Sequence, residues 1–215
     1  MKGISNLSSI PAKFITLEGS EGAGKSSAMS VITSVLDSWA VPYITTREPG
    51  GEASAEKIRD ILLYADHLDA KTELLLMFAS RNEHVVKTIR PALEAGTWVI
   101  SDRFVDASFA YQGGGRQIDK SHIDYLEQFT VGETQPDLTL YLDVTPEVGL
   151  ARAAARSEKD RIEKEDLTFF QTIRSAYLAR FDEHPERIKR IDADVQIDEV
   201  SEQIKGVLNR FKEQL

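Results

Sequence analysis

Residues 19–26, with the sequence GSEGAGKS, have the spacing of a phosphate-binding loop, G-x-x-x-x-G-K-[ST]. An apolar run precedes them and a predicted helix follows, which is the context that the motif requires. Glycines let consecutive backbone N–H groups converge on phosphate oxygens, and the start of the helix adds positive potential. Lys25 is expected to bridge the β- and γ-phosphates of a nucleotide, and the Ser26 hydroxyl is expected to bind Mg²⁺. A glycine-rich turn beside a surface lysine is the alternative. The nucleotide-binding residues predicted here are Gly19, Ser20, Glu21, Gly22, Ala23, Gly24, Lys25, Ser26 and Ser27.

A carboxylate and a guanidinium group, Asp102 and Arg103, follow the apolar run at residues 98–101. They therefore lie at the carboxyl end of a predicted strand, where ligands bind in parallel sheets. Asp102 is expected to hold Mg²⁺ through its water shell, and Arg103 to bind a phosphate with its forked donors. A local ion pair that caps the next helix is the alternative.

Phe78 and Arg81 lie three residues apart and thus on one face of a predicted helix. An aromatic ring and a planar donor on one face can contact the same flat ligand, such as a nucleobase. Phe78 also fits an apolar core stripe with Leu74 and Leu75. The spacing leaves both interpretations open.

Five short apolar runs alternate with helical patterns along the chain. The predicted strands are residues 14–17, 41–46, 98–101, 137–144 and 188–193, and the predicted helices are 26–36, 53–63, 71–93 and 195–211. Pro91 is expected to break the third helix, and a polar, glycine-rich loop is expected after residue 101. This order predicts an α/β fold, a mainly parallel five-stranded sheet with helices on both faces, in a single domain spanning residues 1–215.

The composition is that of an ordinary globular protein, with 41% apolar and 28% charged residues. A net charge of -9 argues against nonspecific binding to nucleic acid, because the phosphate backbone would be repelled. The absence of cysteine excludes disulfides, and no run approaches the roughly 20 apolar residues of a membrane span. Without a secretory signal pattern either, the expected location is the cytosol.

Six segments together, FITLEGSEGAGKSS, REPGG, DRF, AYQGGGR, PDLTLYLDV and DRIE, resemble bacterial thymidylate kinases over nearly the whole chain. The resemblance implies a P-loop NTPase fold and the conversion of dTMP and ATP to dTDP and ADP with Mg²⁺, which feeds dTTP synthesis for DNA replication. It also implies a homodimer. Another nucleoside monophosphate kinase is the closest alternative. A nucleotide switch is a more distant one, because the chain has no N-K-x-D segment to read guanine.

The resemblance also implies an acceptor site. Glu21 would face the sugar hydroxyl, and Arg59 and Arg103 the acceptor phosphate. The remaining positions would surround the base and sugar: Phe78 and Arg81 at thymine, Glu48 and Pro49 shaping the pocket, and Ser108, Tyr111 and Gln112 beside base and sugar. Tyr111 also fits a core aromatic residue.

Some members of that family carry a basic residue at the loop position occupied here by Gly22. This chain is similar instead to the subgroup in which a mobile lid, here about residues 151–163, supplies the cation. The candidates are Arg152, Arg156 and Arg161, and Arg156 is preferred as the catalytic one. A solvated basic helix face paired with nearby acidic residues is the alternative.

Overall fold

Five strands form one sheet in the computed structural model, which describes residues 11–155 and 161–215. Every adjacent pair of strands is parallel, and the order is β2-β3-β1-β4-β5. The strands are β1 (Phe14–Glu18), β2 (Tyr43–Arg47), β3 (Trp98–Asp102), β4 (Leu138–Asp143) and β5 (Ile188–Asp192). The predicted five-stranded parallel α/β fold is therefore confirmed.

Helices cover both faces of the sheet. They are α1 (Lys25–Trp39), α2 (Ala53–Tyr64), α3 (Ala70–His84), α4 (Arg90–Glu94), α5 (Val105–Ser108), α6 (Lys120–Thr130), α7 (Pro146–Ala154), α8 (Leu167–Glu183) and α9 (Ile197–Lys212). Two π-helical segments, Val85–Ile89 and Phe109–Gly115, join α3 to α4 and extend α5. No helix in the described ranges combines the length and apolarity needed to cross a membrane.

Every residue of β1 is buried because layers of helices lie on both sides of it. Ile15 and Leu17 pack with α1 and α9 on one face. Phe14 packs on the other face with α3 and with Phe104 beyond β3. Glu18, on the same side as Phe14, is also fully buried, so its carboxylate needs internal hydrogen-bond donors.

The prediction that Pro91 breaks the third helix is wrong. The chain stays helical from Ala70 to Glu94, with a π-helical segment at Val85–Ile89 and Pro91 at the start of α4. A proline ring clashes with the carbonyl group one turn earlier in a regular α-helix. The wider π-helical turn lies at this point and accommodates the ring.

The predicted glycine-rich loop after β3 is also wrong, because α5, a π-helical segment and α6 occupy most of it. Its glycines serve close packing against α8. A Cβ atom on Gly114 would lie 2.8 Å from the Ala176 Cβ atom, and one on Gly115 would lie 2.5 Å from the Phe169 ring. Glycine here permits two helical segments to approach closely, whereas in sequence it indicates a loop.

Candidate active site

The phosphate-binding loop connects β1 to α1, and its conformation depends on glycine. Gly22 and Gly24 have φ angles of 71° and 89°, in the left-handed region that glycine enters without strain. The Lys25 ammonium group donates to the backbone oxygens of Gly19 at 3.1 Å and Ser20 at 3.3 Å. Burial lowers the pKa of Lys25, and the positive charge of Arg103 lowers it further. A phosphate group would relieve this cost by adding negative charge beside Lys25.

Gly22 also allows α7 to pack directly on the loop. A Cβ atom at Gly22 would lie 1.9 Å from the Gly149 backbone oxygen, and one at Gly149 would lie 2.6 Å from the Glu21 oxygen. Any larger residue at position 22 therefore requires α7 to move. This contact gives a physical reason for glycine at position 22 of this chain.

A cavity opens on one side of the loop, between α1 and the segment after β5. It is lined by Gly22, Ala23, Gly24 and Ser27 of the loop, by Arg152, and by residues 193–197. The Arg152 guanidinium group donates to the Ala193 backbone oxygen at 2.8 Å. One of the three lid candidates thus lies at the wall of this cavity.

Ser26 and Asp102 line a second, more open cavity beside β2. Asp102 Oδ1 is buried and has no hydrogen-bond partner within the described ranges. A hydroxyl and an uncompensated carboxylate oxygen on one cavity suit a hard cation such as Mg²⁺, which also keeps water and phosphate ligands.

Arg103 has an uncommon backbone conformation, with φ of 71°. Three hydrogen bonds hold the turn: Arg103 N–H to Leu17 O at 2.8 Å, Phe104 N–H to Glu18 Oε1 at 2.8 Å, and Ser101 Oγ to Arg103 O at 2.7 Å. Burial raises the pKa of Glu18 to about 8, and the neighbouring Asp106 contributes to the shift. The turn is thereby fixed to β1, which leads into the phosphate-binding loop.

The Arg103 side chain joins this turn to the loop. Its guanidinium group donates to Glu21 Oε1 at 2.8 Å and to the Tyr111 hydroxyl at 2.9 Å. The Tyr111 hydroxyl in turn donates to both Glu21 carboxylate oxygens, at 2.9 and 2.8 Å. Three predicted acceptor-site residues therefore form one hydrogen-bonded group that lines a third pocket.

That third pocket brings together six of the predicted acceptor-site residues. They are Glu21, Pro49, Arg59, Arg103, Tyr111 and Gln112. The pocket also has an apolar wall that the sequence analysis missed, formed by Leu62, Leu63, Met77, Ala107 and Ile162. For Met77 a signal was present, because it lies four residues before Arg81 and thus on the same helix face.

Arg59 supplies a second cation to this pocket. Its guanidinium group donates to the Pro49 backbone oxygen at 2.8 Å. Burial lowers the pKa of Arg59, and the like charges of Arg47 and Arg103 lower it further. An anion bound between Arg59 and Arg103 would offset this repulsion, so the pocket favours a negatively charged ligand.

The other predicted acceptor-site residues lie behind the pocket wall. Arg81, only 1% exposed, donates to Glu48 Oε2 at 2.7 Å, to Ser108 Oγ at 3.0 Å and to the Phe104 backbone oxygen at 3.0 Å. The Arg81 guanidinium carbon lies 4.6 Å from the ring centre of Phe78, which is also 1% exposed. Met77, and not Phe78, is therefore the α3 side chain that lines the pocket.

The lid candidates occupy different places. Arg161 donates to the Leu62 backbone oxygen at 3.0 Å and forms an ion pair with Glu73 at 2.8 Å, so it lies beside the acceptor pocket. Arg156, the preferred catalytic candidate, lies outside the described residues. Residues 151–154 belong to α7.

Comparisons with known proteins agree with this architecture. The family model for thymidylate kinase matches residues 17–204. A thymidylate kinase from Methylobacillus flagellatus is 46% identical over 200 residues, which cover 93% of this chain and 98% of that relative. One from Vesicomyosocius okutanii subsp. Calyptogena okutanii is 50% identical over 198 residues, covering 91% of this chain and 97% of that relative.

Structural similarity extends over the same length. The crystal structure of thymidylate kinase from Ehrlichia chaffeensis superposes with a TM-score of 0.77 at 32% sequence identity, covering 93% of this chain and 99% of that one. The parallel five-stranded sheet is consistent with this structural match. The chain belongs to the thymidylate kinase family of nucleoside monophosphate kinases, which phosphorylate dTMP.

Proposed function

We propose that this chain transfers the γ-phosphoryl group of ATP to dTMP, with ATP in the cavity beside α1 and dTMP in the pocket lined by Arg59 and Arg103. The observation that carries the proposal is the position of Glu21. This residue belongs to the phosphate-binding loop, yet its carboxylate accepts hydrogen bonds from Arg103 and Tyr111 in the acceptor pocket. One loop thus serves both cavities, and the two substrates would meet at its centre.

Charge neutralisation and alignment are what phosphoryl transfer requires of the protein. Lys25 would contact the β- and γ-phosphates, while Arg103 and Arg59 would hold the dTMP phosphate as nucleophile. A general base is unnecessary, because a phosphate oxygen is already anionic near neutral pH. We further propose that Arg156 supplies the lid cation that offsets charge on the transferred group.

Ser26 and Asp102 would hold Mg²⁺, directly or through its water shell, together with phosphate oxygens. When bound, Mg²⁺ neutralises charge on the nucleotide phosphates. The support for this assignment is the buried Oδ1 atom of Asp102, which has no hydrogen-bond partner among the residues that the structure describes.

The thymine base would lie against the apolar wall that contains Met77. Gln112 lines the same pocket, and its Oε1 atom has no hydrogen-bond partner in the described part of the chain. An acceptor in this position suits the N3–H group of thymine. Arg81 does not line the pocket, so its proposed donation to a base carbonyl would require the residues in front of it to move when the base binds. Phe78, Glu48 and Ser108 would hold Arg81 in place.

Glu21 and Tyr111 would contact the sugar, since both line the pocket and are hydrogen-bonded to Arg103. A single domain spanning residues 1–215, with a mobile lid at about residues 151–163, is part of the same proposal. A homodimer and a cytosolic location complete it, and both rest on the family.

A coupled ADP-release assay tests the proposal, with ATP·Mg²⁺ and each of dTMP, dUMP, dGMP, dCMP, AMP, GMP and UMP, plus a control without acceptor. We expect turnover to favour dTMP strongly. Preference for another nucleotide would keep the kinase and remove thymine from the pocket. ATP hydrolysis that no acceptor stimulates would contradict the transfer reaction and favour a nucleotide switch.

A further inference from the structure

Glu73 lies on α3 one turn before Met77, behind the wall of the acceptor pocket, and is 1% exposed. Its Oε1 atom accepts a hydrogen bond from Gln112 Nε2 at 2.8 Å. Its Oε2 atom lies 2.8 Å from an Arg161 guanidinium nitrogen and 3.2 Å from one of Arg116. A buried carboxylate thus joins three segments that are distant in sequence, and the transfer reaction described above does not use it.

The contact with Glu73 determines which way the Gln112 amide faces. A side-chain amide has a donor end and an acceptor end of nearly equal shape, so its hydrogen-bond partners decide its orientation. A carboxylate paired with guanidinium groups can only accept hydrogen bonds. Gln112 therefore turns its NH₂ group to Glu73 and its Oε1 atom away from it. That oxygen is one of the buried polar atoms that have no hydrogen-bond partner in the described ranges.

The two arginines keep the Glu73 carboxylate in this position. Arg116 also forms an ion pair with Glu165 at 2.6 Å, and Arg161 also donates to the Leu62 backbone oxygen at 3.0 Å. Each guanidinium group is thus fixed at a second point. Rotation of the Glu73 carboxylate would break these pairs inside the protein, where unpaired charge is costly.

We propose that Glu73 is a positioning residue that fixes Gln112 with its oxygen available to the base, and so makes the pocket select pyrimidines that carry an N3 proton. This proposal rests on the contact between Gln112 and the base in the proposed function. Thymine and uracil carry that proton and can donate to Oε1. Cytosine has a lone pair at N3, which would face the oxygen without a hydrogen bond.

The test is Glu73→Gln, which keeps the size of the side chain. Glutamine at position 73 can either accept from or donate to Gln112, so the Gln112 amide would occupy both orientations. We expect the ratio of kcat/KM for dTMP to that for dCMP to fall about tenfold, the effect of one buried hydrogen bond. The KM for ATP should stay unchanged, because the ATP cavity is lined by other residues.

A rescue variant separates orientation from general loosening of the pocket. In the double variant Glu73→Gln with Gln112→Glu, the glutamine at 73 can donate to a carboxylate at 112, whose second oxygen still accepts from N3–H. We expect this variant to recover the dTMP preference that Glu73→Gln loses. It also carries the test if Glu73→Gln alone does not fold. Failure of the folded double variant to recover the preference would contradict the proposal.

Two single variants complete the experiment. Glu165→Gln removes the charge of the outer partner of Arg116 but keeps an amide oxygen that can accept from its guanidinium group. The Glu73–Gln112 contact is left in place, so the dTMP to dCMP ratio should not change. Gln112→Leu removes the acceptor and should lower the ratio. If Gln112→Leu lowers it and Glu73→Gln does not, Glu73 has no positioning role and the proposed function stands. If Gln112→Leu leaves the ratio unchanged, the proposed base contact itself is wrong.

Discussion

The donor and acceptor halves of the site are built in different ways. The donor half is made mainly of backbone from consecutive residues, and the cation of its loop, Lys25, is bonded to the backbone of that same loop. The acceptor half is made of side chains from α2, α3 and the segment after β3. Its cations are held by partners elsewhere in the chain, as with Arg103 on Glu21 and Arg59 on the Pro49 oxygen.

This difference determines where each half is vulnerable. The donor half depends on a backbone conformation and on close packing with α7, so added atoms in the loop should damage it. The acceptor half depends on a buried network in which Arg81 alone joins Glu48, Ser108 and the Phe104 backbone. Loss of any member leaves a buried polar group unpaired, which costs about 1–3 kcal/mol.

The largest effect is expected for Lys25→Ala. Loss of a preorganised cation at the transferred group should lower kcat by about 10²–10³-fold. The measurement is kcat at saturating ATP and dTMP, with Lys205→Ala as the control for the same change in charge. Lys205 is half-exposed on α9 and is paired with Glu202 on the same helix. An unchanged kcat with a raised KM for ATP would limit Lys25 to ground-state binding.

The next effect in size, smaller than that of Lys25→Ala, is the difference between Gly22→Ala and Gly24→Ala. Both glycines have positive φ angles, so both substitutions carry backbone strain of about 1–2 kcal/mol. Only Gly22 lies against Gly149, whereas a Cβ atom at Gly24 would meet no atom within 4 Å. Overpacking should add about 1–3 kcal/mol to the loss of unfolding free energy for Gly22→Ala and raise its KM for ATP.

Urea unfolding and ATP titration of the two variants measure these effects. Equal destabilisation by Gly22→Ala and Gly24→Ala would mean that α7 does not constrain the loop. The acceptor half offers no comparable pair of glycines among its pocket residues, because side chains form it.

The same difference explains what the sequence predicts. The loop and the five strands were predicted from local patterns. A phosphate cradle has fixed spacing, and β1 and β4, which are buried on both faces, are continuous apolar runs. Helical structure at Phe109–Gly115 was missed because its glycines serve packing against α8. The prediction that Pro91 breaks the helix was wrong because the π-helical turn that accommodates it depends on tertiary context.

The residues of the acceptor half were predicted from the family resemblance. The hydrogen bonds that join them to one another and to buried residues were not predicted. The Glu73–Gln112 hydrogen bond spans 39 residues, and no local pattern indicates it. Within α3, the spacing of Phe78 and Arg81 indicated one shared face, yet the structure places Phe78 in the core beneath Arg81 and Met77 at the pocket. Neighbouring positions on a helix differ by about 100°, so a shift of one residue exchanges core for cleft.

The smallest expected effect tests whether Met77 or its neighbour Phe78 contacts the base. Met77→Ala removes part of the apolar wall and should weaken dTMP binding by roughly 1–2 kcal/mol. The KM for dTMP should therefore rise about fivefold to thirtyfold, with little change in kcat. Phe78→Leu should instead lower the unfolding free energy by about 1 kcal/mol. It should change the KM for dTMP less than Met77→Ala does, because a leucine still packs beneath Arg81. Steady-state kinetics and urea unfolding of both variants decide between the residues. The opposite pattern would mean that Phe78 turns into the pocket when the base binds, and the acceptor half would then rearrange around its ligand, in contrast to the preformed donor half.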